Sequence, residues 1–172
     1  MTEDNTRRWQ CLQHHENEAL YAFRTFGDTA LRFAVCCTQN RAEAEDIVQD
    51  VLLMLHTAPR QFESDEHMKA WLLRAIRDRA KNYHLRSRRR AAVELAQAEA
   101  VAACGDFTEE YALRELIFSL PKNYAVVLYL YYFEGYRTGE IAMLLGEKEN
   151  TVRTWLKRGR KRLQLALEEP IC

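Results

Sequence analysis

The chain has 172 residues, with Lys+Arg 25 against Asp+Glu 25, 48% hydrophobic and 29% charged residues, Gly 6 and Pro 3. Nearly half apolar, it lies outside the disordered regime, and so little Gly and Pro excludes a turn-rich sandwich or barrel, leaving a mainly helical protein of one large or two small domains. The zero net charge conceals a segregation: residues 1–67 carry 6 basic and 12 acidic groups, 68–90 carry 9 and 1, 91–120 carry 1 and 6, and 121–172 carry 9 and 6. Two basic blocks between acidic stretches suit a polyanion, because phosphates respond to clustered charge whatever the chain sums to; either block alone fits a solvated face.

Met1 to Gln10 is polar and charged, without the apolar segment of a signal peptide. The longest apolar run, Ala125 to Phe133, is too short to span a bilayer, and a cytoplasmic location is expected. Cys11, Cys36, Cys37, Cys104 and Cys172 include no Cys-x-x-Cys spacing, so reduced, buried cysteines are expected rather than a disulfide framework, a metal site or a cofactor site. There is no Gly-rich phosphate loop, no Ser-His-Asp arrangement and no His-Glu-x-x-His helix, and no enzyme chemistry is expected.

The first predicted helix carries Leu20, Phe23, Phe26, Ala30 and Ala34 at three-to-four spacing and ends at Gln39-Asn40. In the second, Ala44, Ile47, Val48, Val51, Leu52 and Leu55 form a stripe opposite Asp46, Gln49 and Asp50, and Pro59 stops it. Ser64 can cap a third helix whose buried stripe is Met68, Trp71, Leu72, Ala75, Ile76 and Tyr83. On its other side Arg74, Arg77, Lys81 and Arg88 recur at offsets that place their cations along one ridge, with His84 between them, a shape that can follow a phosphate backbone.

Residues 91–106 are Ala-rich and end in Gly105-Asp106, which reads as a linker reaching at most ~53 Å when extended. Helical periodicity restarts at Phe107, and Pro121 suits the first position of a helix running to about Phe133. A short helix from Gly139 to Leu145, a turn at Gly146 and a long basic helix from about Glu149 to Leu167 read as a helix-turn-helix. In that last helix Val152, Leu156, Gly159 and Leu163 face inward, whereas Arg153, Thr154, Lys157 and Arg158 project outward and suit a major groove; Arg160, Lys161 and Arg162 suit phosphates or solvent. The expected architecture is all-α, with domains at 1–90 and 107–172 joined by the 91–106 linker.

The segment AEAEDIVQDVLLML resembles the core-polymerase-binding helix of bacterial sigma factors, and MKAWLLRAIRDRAKNYHLRSRRR follows where their promoter-melting helix lies. LPKNYAVVLYLYYFEGYRTGEIAMLLGEKENTVRTWLKRGRKRL resembles their C-terminal helix-turn-helix. The order and the compact length resemble the extracytoplasmic-function group of the sigma-70 family, which keeps only domains two and four. The resemblance implies an initiation factor that binds core RNA polymerase through its beta-prime and beta subunits, brings it to promoter DNA, supports strand opening and is held inactive by an anti-sigma factor, with no small-molecule substrate.

It further implies that Asp46, Gln49 and Asp50 face the beta-prime coiled coil. The loop Thr57 to His67 corresponds to one that captures a flipped base of the minus-ten element, where Phe62 either stacks on the base or plugs the core, and Arg60 and Ser64 bond its edge or phosphate. Arg74, Arg77, Lys81 and Asn82 correspond to the helix along the melted strand, and Arg153, Thr154, Lys157 and Arg158 to the readers of the minus-thirty-five element. Asp78 departs from the family pattern and adds an anion near DNA. Arg137 and Lys148 stand where Ser or Thr caps are common, and with Gly159 inside a helix they point to a second domain of marginal stability that firms up on polymerase or DNA. Two rival readings are a stand-alone helix-turn-helix regulator with a sensing or dimerising N-terminal domain, and a metal- or redox-responsive protein using Cys36 and Cys37 with His14 or His15.

Overall fold

The computed structural model describes residues 18–90 and 109–168, and for 84–90 and 109–111 the backbone alone. The 91–106 linker, Cys11, His14, His15, Cys104 and Cys172 lie outside the described residues, as do the side chains of His84 and Arg88. The described residues form seven helices: α1 (Glu18–Thr38), α2 (Arg41–Thr57), α3 (Asp65–Arg90), α4 (Glu109–Ser119), α5 (Lys122–Tyr132), α6 (Thr138–Leu145) and α7 (Glu149–Glu168). The fold is all-α, and none of these helices is long and apolar enough to cross a membrane.

Local chemistry accounts for most of the boundaries. At the end of α1, Gln39 takes a left-handed conformation (φ 61°) and its N–H donates to the Val35 carbonyl at 2.8 Å. The Asn40 side chain then accepts from the Glu43 N–H at 3.1 Å and opens α2. Ser64 caps α3, its Oγ accepting from the His67 N–H at 3.1 Å. Pro121 sits at the cap of α5, one residue before the first helical position, because its carbonyl takes the first bonds, from the N–H groups of Tyr124 and Ala125. Arg137 offers no acceptor to α6, but Glu140 reaches back to its backbone N–H at 2.7 Å, which supplies half of a capping box. Gly146 closes α6 at φ 65°, a conformation costly for any residue with a Cβ.

Helices α1, α2 and α3 pack around Phe33, Val51, Leu72, Leu73 and Ile76, and α4 to α7 pack around Ile117, Leu128, Tyr129, Leu130, Ile141 and Val152. These clusters are not separate: they form one continuous core, with α1 seated against α5 and α3 against α6. The cause is legible in burial along the chain. Phe33 to Thr38 are six consecutive buried residues of α1, and Ala125 to Leu130 are six of α5. A helix covered on one side buries only a stripe, so each of these stretches must be enclosed from two directions. Polar contacts cross the same junction. The Arg77 Nη1 donates to the Leu144 carbonyl at 2.8 Å, the Gln39 amide donates to the Phe118 carbonyl at 3.3 Å, and Lys69 pairs with Glu134, whose side chain is only 8% exposed.

Three expected core positions fall elsewhere. Leu20 and Phe23 of α1 are exposed, Phe23 by 58%, because the buried face of that turn is Ala19 and Ala22; Tyr83 is also exposed. Gly159 is explained by packing. A Cβ there would lie 3.0 Å from Leu128 Cδ1 and 3.3 Å from Tyr124 Cβ, so the missing side chain is what lets α7 cross α5 this closely. Gly159→Leu is expected to destabilise the fold by ~1–3 kcal/mol through overpacking, read as a lowered midpoint in thermal unfolding.

Candidate nucleic-acid interface

Asp46, Gln49 and Asp50 all stand exposed on one face of α2, opposite the buried stripe. Asp50 accepts from Arg79 of α3 at 2.7 Å, and the same guanidinium reaches the Met54 sulfur at 3.6 Å. One turn on, Leu53 is 60% exposed and extends this face with apolar surface. Leu53 falls off the helical stripe and is absent from the expected site; its period along α2 places it beside Gln49 and Asp50.

The loop between α2 and α3 is tied down from beneath. Phe62 is 7% exposed and packs with Leu55, Met68, Ala19 and Ala22, its ring 5.6 Å from those of Trp71 and His67. Of the two expectations for Phe62, the core plug is the one observed. Its ring faces are covered, so it offers no platform for a stacked base in this conformation. Arg60 lies over the Trp71 ring at 5.3 Å, and its backbone N–H donates to Glu18 at 2.8 Å. The Ser64 hydroxyl, expected also to meet a base or phosphate, has its oxygen engaged as the α3 cap, and Tyr21 steadies the same turn by donating to Asp65 at 2.8 Å.

Along α3 the expected ridge divides. Arg74, Lys81 and Asn82 are exposed. Arg77 is not free for a phosphate: beyond its bond to the Leu144 carbonyl, its Nε donates to Asp78 at 2.9 Å. The anion of Asp78 is thus neutralised by its neighbour. Burial, then Glu134 and Glu140, push the Tyr136 hydroxyl up to about 12 beside this junction, and Lys69 lies 5.6 Å from the same ring.

On α7, Arg153, Thr154, Lys157 and Arg158 are all exposed on one side. Lys157 and Arg158 make no ion pair among the described residues. Arg153 donates to Glu149 at 2.8 and 3.2 Å, and Glu149 also accepts from Thr138 of α6 at 2.7 Å, so one carboxylate joins the two helices of the helix-turn-helix and aims the guanidinium. The Thr138 bond and then Arg153 hold the Glu149 carboxyl below its usual range. The Thr154 hydroxyl donates to the Asn150 carbonyl at 2.8 Å, and the residue stays exposed. Arg160 and Arg162 are exposed, as expected, and also lie over tyrosines of α5: Arg160 over Tyr131 and Tyr132 at 5.2 and 5.5 Å, Arg162 over Tyr124 at 5.4 Å. Cation–π attraction of this kind adds to the packing of α7 on α5.

Comparison with known proteins matches residues 22–91 to the family model for sigma-70 region 2 and residues 111–163 to that for sigma-70 region 4. The chain is 29% identical over 142 residues to the RNA polymerase sigma factor SigV of Bacillus subtilis, covering 80% of this chain and 85% of SigV. It is 27% identical over 136 residues to the ECF RNA polymerase sigma factor SigM of Mycobacterium tuberculosis, covering 77% of this chain and 68% of SigM. It is also 30% identical over 145 residues to the Probable RNA polymerase sigma factor RfaY of Xanthomonas campestris; the match covers 77% of this chain and spans only 36% of that relative. Among solved structures, the sigma factor RpoE of Bartonella quintana, in complex with the anti-sigma factor NepR, shares the fold at a TM-score of 0.64 and 22% identity, covering 83% of this chain and 92% of RpoE. With both regions present in order on helices that expose an acidic and a cationic face, the chain belongs to the sigma-70 family as an RNA polymerase sigma factor of the extracytoplasmic-function group.

Proposed function

We propose that this sigma factor docks on core RNA polymerase through Asp46, Gln49 and Asp50, carries it to promoter DNA and supports strand opening, with the polymerase supplying all bond-making chemistry. The observation that carries this reading is a pair of exposed surfaces of opposite charge: an acidic face with Leu53 on α2, and a cationic face on α7. The acidic face would repel DNA and suits a protein partner; the cationic one suits a groove. Residues 1–90 would serve docking and the minus-ten element, 107–172 the minus-thirty-five element, and 91–106 would join them.

In this reading Arg74, Lys81 and Asn82 meet the melted strand, and Arg153, Thr154, Lys157 and Arg158 read the duplex. Arg60 and Ser64 border a base-capture loop that Phe62 braces from inside. The roughly 25 base pairs between the two elements, at about 3.4 Å each, span on the order of 85 Å. In this reading the halves part on the promoter to reach both elements, which breaks the Arg77 to Leu144 bond and frees Arg77 for the backbone. An anti-sigma factor as a further partner, and action in the cytoplasm, go with this assignment.

Mixing the chain with core polymerase and a labelled promoter fragment, and with the fragment alone, tests the reading. Stable co-migration with core, and a promoter complex only when core is present, are expected. Tight specific binding of duplex DNA by the chain alone would favour a stand-alone regulator instead.

A further inference from the structure

Of the cations assigned to the duplex on α7, Arg153 alone has a carboxylate partner among the described residues; Lys157 and Arg158 have none. That carboxylate is held from two sides. Glu149 Oε1 accepts from Arg153 Nη2 at 2.8 Å and Nε at 3.2 Å, and the same oxygen accepts from Thr138 Oγ1 of α6 at 2.7 Å. A Glu–Arg pair one turn apart on a solvated helix is common and weak by itself. The α6 hydroxyl sets this one apart, because it ties the carboxylate, and through it the guanidinium, to both helices of the helix-turn-helix. The bonds also select which edge of Arg153 is left over. Nε and Nη2 form the side edge of the guanidinium, and that edge is turned to Glu149. The end fork, made by the two terminal nitrogens, is left to solvent on a side chain 64% exposed. Its shape matches the O6 and N7 acceptors of guanine in a major groove. An anion on this face also repels the phosphates of any duplex, whatever its sequence. Glu149 keeps that charge, since the Thr138 bond and then Arg153 hold its carboxyl below the usual range.

Given the assignment of α7 to duplex DNA, on which this rests, we infer that Glu149 is a positioning residue that determines specificity: it holds Arg153 so that the end fork reads a guanine, and it weakens binding to duplexes that lack one there. Thr138 serves the same role from α6 by fixing the carboxylate. A guanidinium held in its reading geometry loses less freedom on meeting the correct base, and one tied to Glu149 cannot swing to a phosphate without giving up both bonds. Lower attraction to DNA in general, with a better-held reader, is the combination that widens the gap between right and wrong sequences.

Holoenzyme reconstituted with the full chain, selecting duplexes from a pool in which the upstream element of a promoter it transcribes is randomised, tests this. The unaltered chain is expected to retain guanine at one position, and Arg153→Ala to lose that preference. At the same position Glu149→Ala and Thr138→Val are expected to lower the preference for guanine by about tenfold, with the other positions unchanged. Random-sequence duplex titrated with the full chain alone gives a second readout. Glu149→Ala is expected to bind it more tightly, with a logarithmic salt dependence steeper by about 0.9, because the released guanidinium meets a phosphate; Thr138→Val keeps every charge and leaves the slope unchanged. Thr138→Val decides alone should Glu149→Ala not fold. Equal losses at every position would reduce Glu149 to a tie between helices and overturn the inference. A guanine lost in Arg153→Ala but kept in both other variants overturns the positioning role alone, whereas no guanine dependent on Arg153 overturns it together with the assignment of Arg153 to a base.

Discussion

Replacing Asp46 and Asp50 together by Lys is expected to weaken association with core polymerase on the order of a hundredfold or more while leaving the fold intact. Both carboxylates are exposed. Within the chain the change breaks the Asp50 to Arg79 pair, and exposed pairs of this kind contribute about 0.2–1 kcal/mol. Thermal unfolding should therefore shift by only a few degrees. Reversing charge against a complementary surface is expected to act differently, since each position would change from attraction to repulsion. A paired control separates the two effects: Asp50→Arg with Arg79→Asp keeps an ion pair on the surface but not the anion on α2, and should restore the melting midpoint without restoring polymerase binding. Recovery of binding in that double variant would show that the pair, and not the acidic face, is what the polymerase requires.

Tyr129→Ala is the substitution with the largest expected effect on stability, about 3–5 kcal/mol, a large share of the 5–15 kcal/mol that holds a typical domain folded. Tyr129 is 1% exposed, and it is among the largest side chains enclosed in the core. Its ring stacks on Phe133 at 5.7 Å and lies 6.4 Å from Phe118, and its hydroxyl donates to Glu134 at 2.7 Å. Burial and the neighbouring Glu134 keep that hydroxyl protonated well above its ordinary range. Glu134 in turn pairs with Lys69 of α3, so the loss reaches across the junction between the halves. Tyr129→Phe keeps the ring and removes only the bond to a charged acceptor, and should cost about 1.5–3 kcal/mol. Denaturant unfolding of the two variants checks both magnitudes; equal losses would mean that the hydroxyl, not the ring, carries the effect.

The helices and the faces of α2 and α7 were legible because local rules decide them. Asn40, Ser64 and Gly146 act within a turn of their own positions, and the period of Ile47, Val48, Val51 and Leu55 determines which side of α2 is left for Asp46 and Gln49. What escaped was decided by distant partners. Phe62 is equally plausible as a stacking ring or a plug until Trp71 and Met68 are brought over it. Arg77 reads as a phosphate ligand because nothing near it in sequence announces the Leu144 carbonyl. The missing caps at Arg137 and Lys148 point to a loose second half, whereas the bond of Glu140 to the Arg137 N–H, the bond of Thr138 to Glu149 and the packing of α5 on α1 are contacts that cap rules cannot see. One clue to the shared core was present: Phe33 to Cys37 and Ala125 to Leu130 are apolar beyond the width of a stripe, a pattern that calls for a second covering surface.

This chain is expected to give core polymerase a promoter specificity that neither possesses alone. Transcription in vitro from genomic fragments, with core polymerase in the presence and absence of the protein, measures it directly. New start sites at discrete positions, lost with the Asp46 and Asp50 double substitution, are the predicted result; transcripts identical with and without the protein would contradict it.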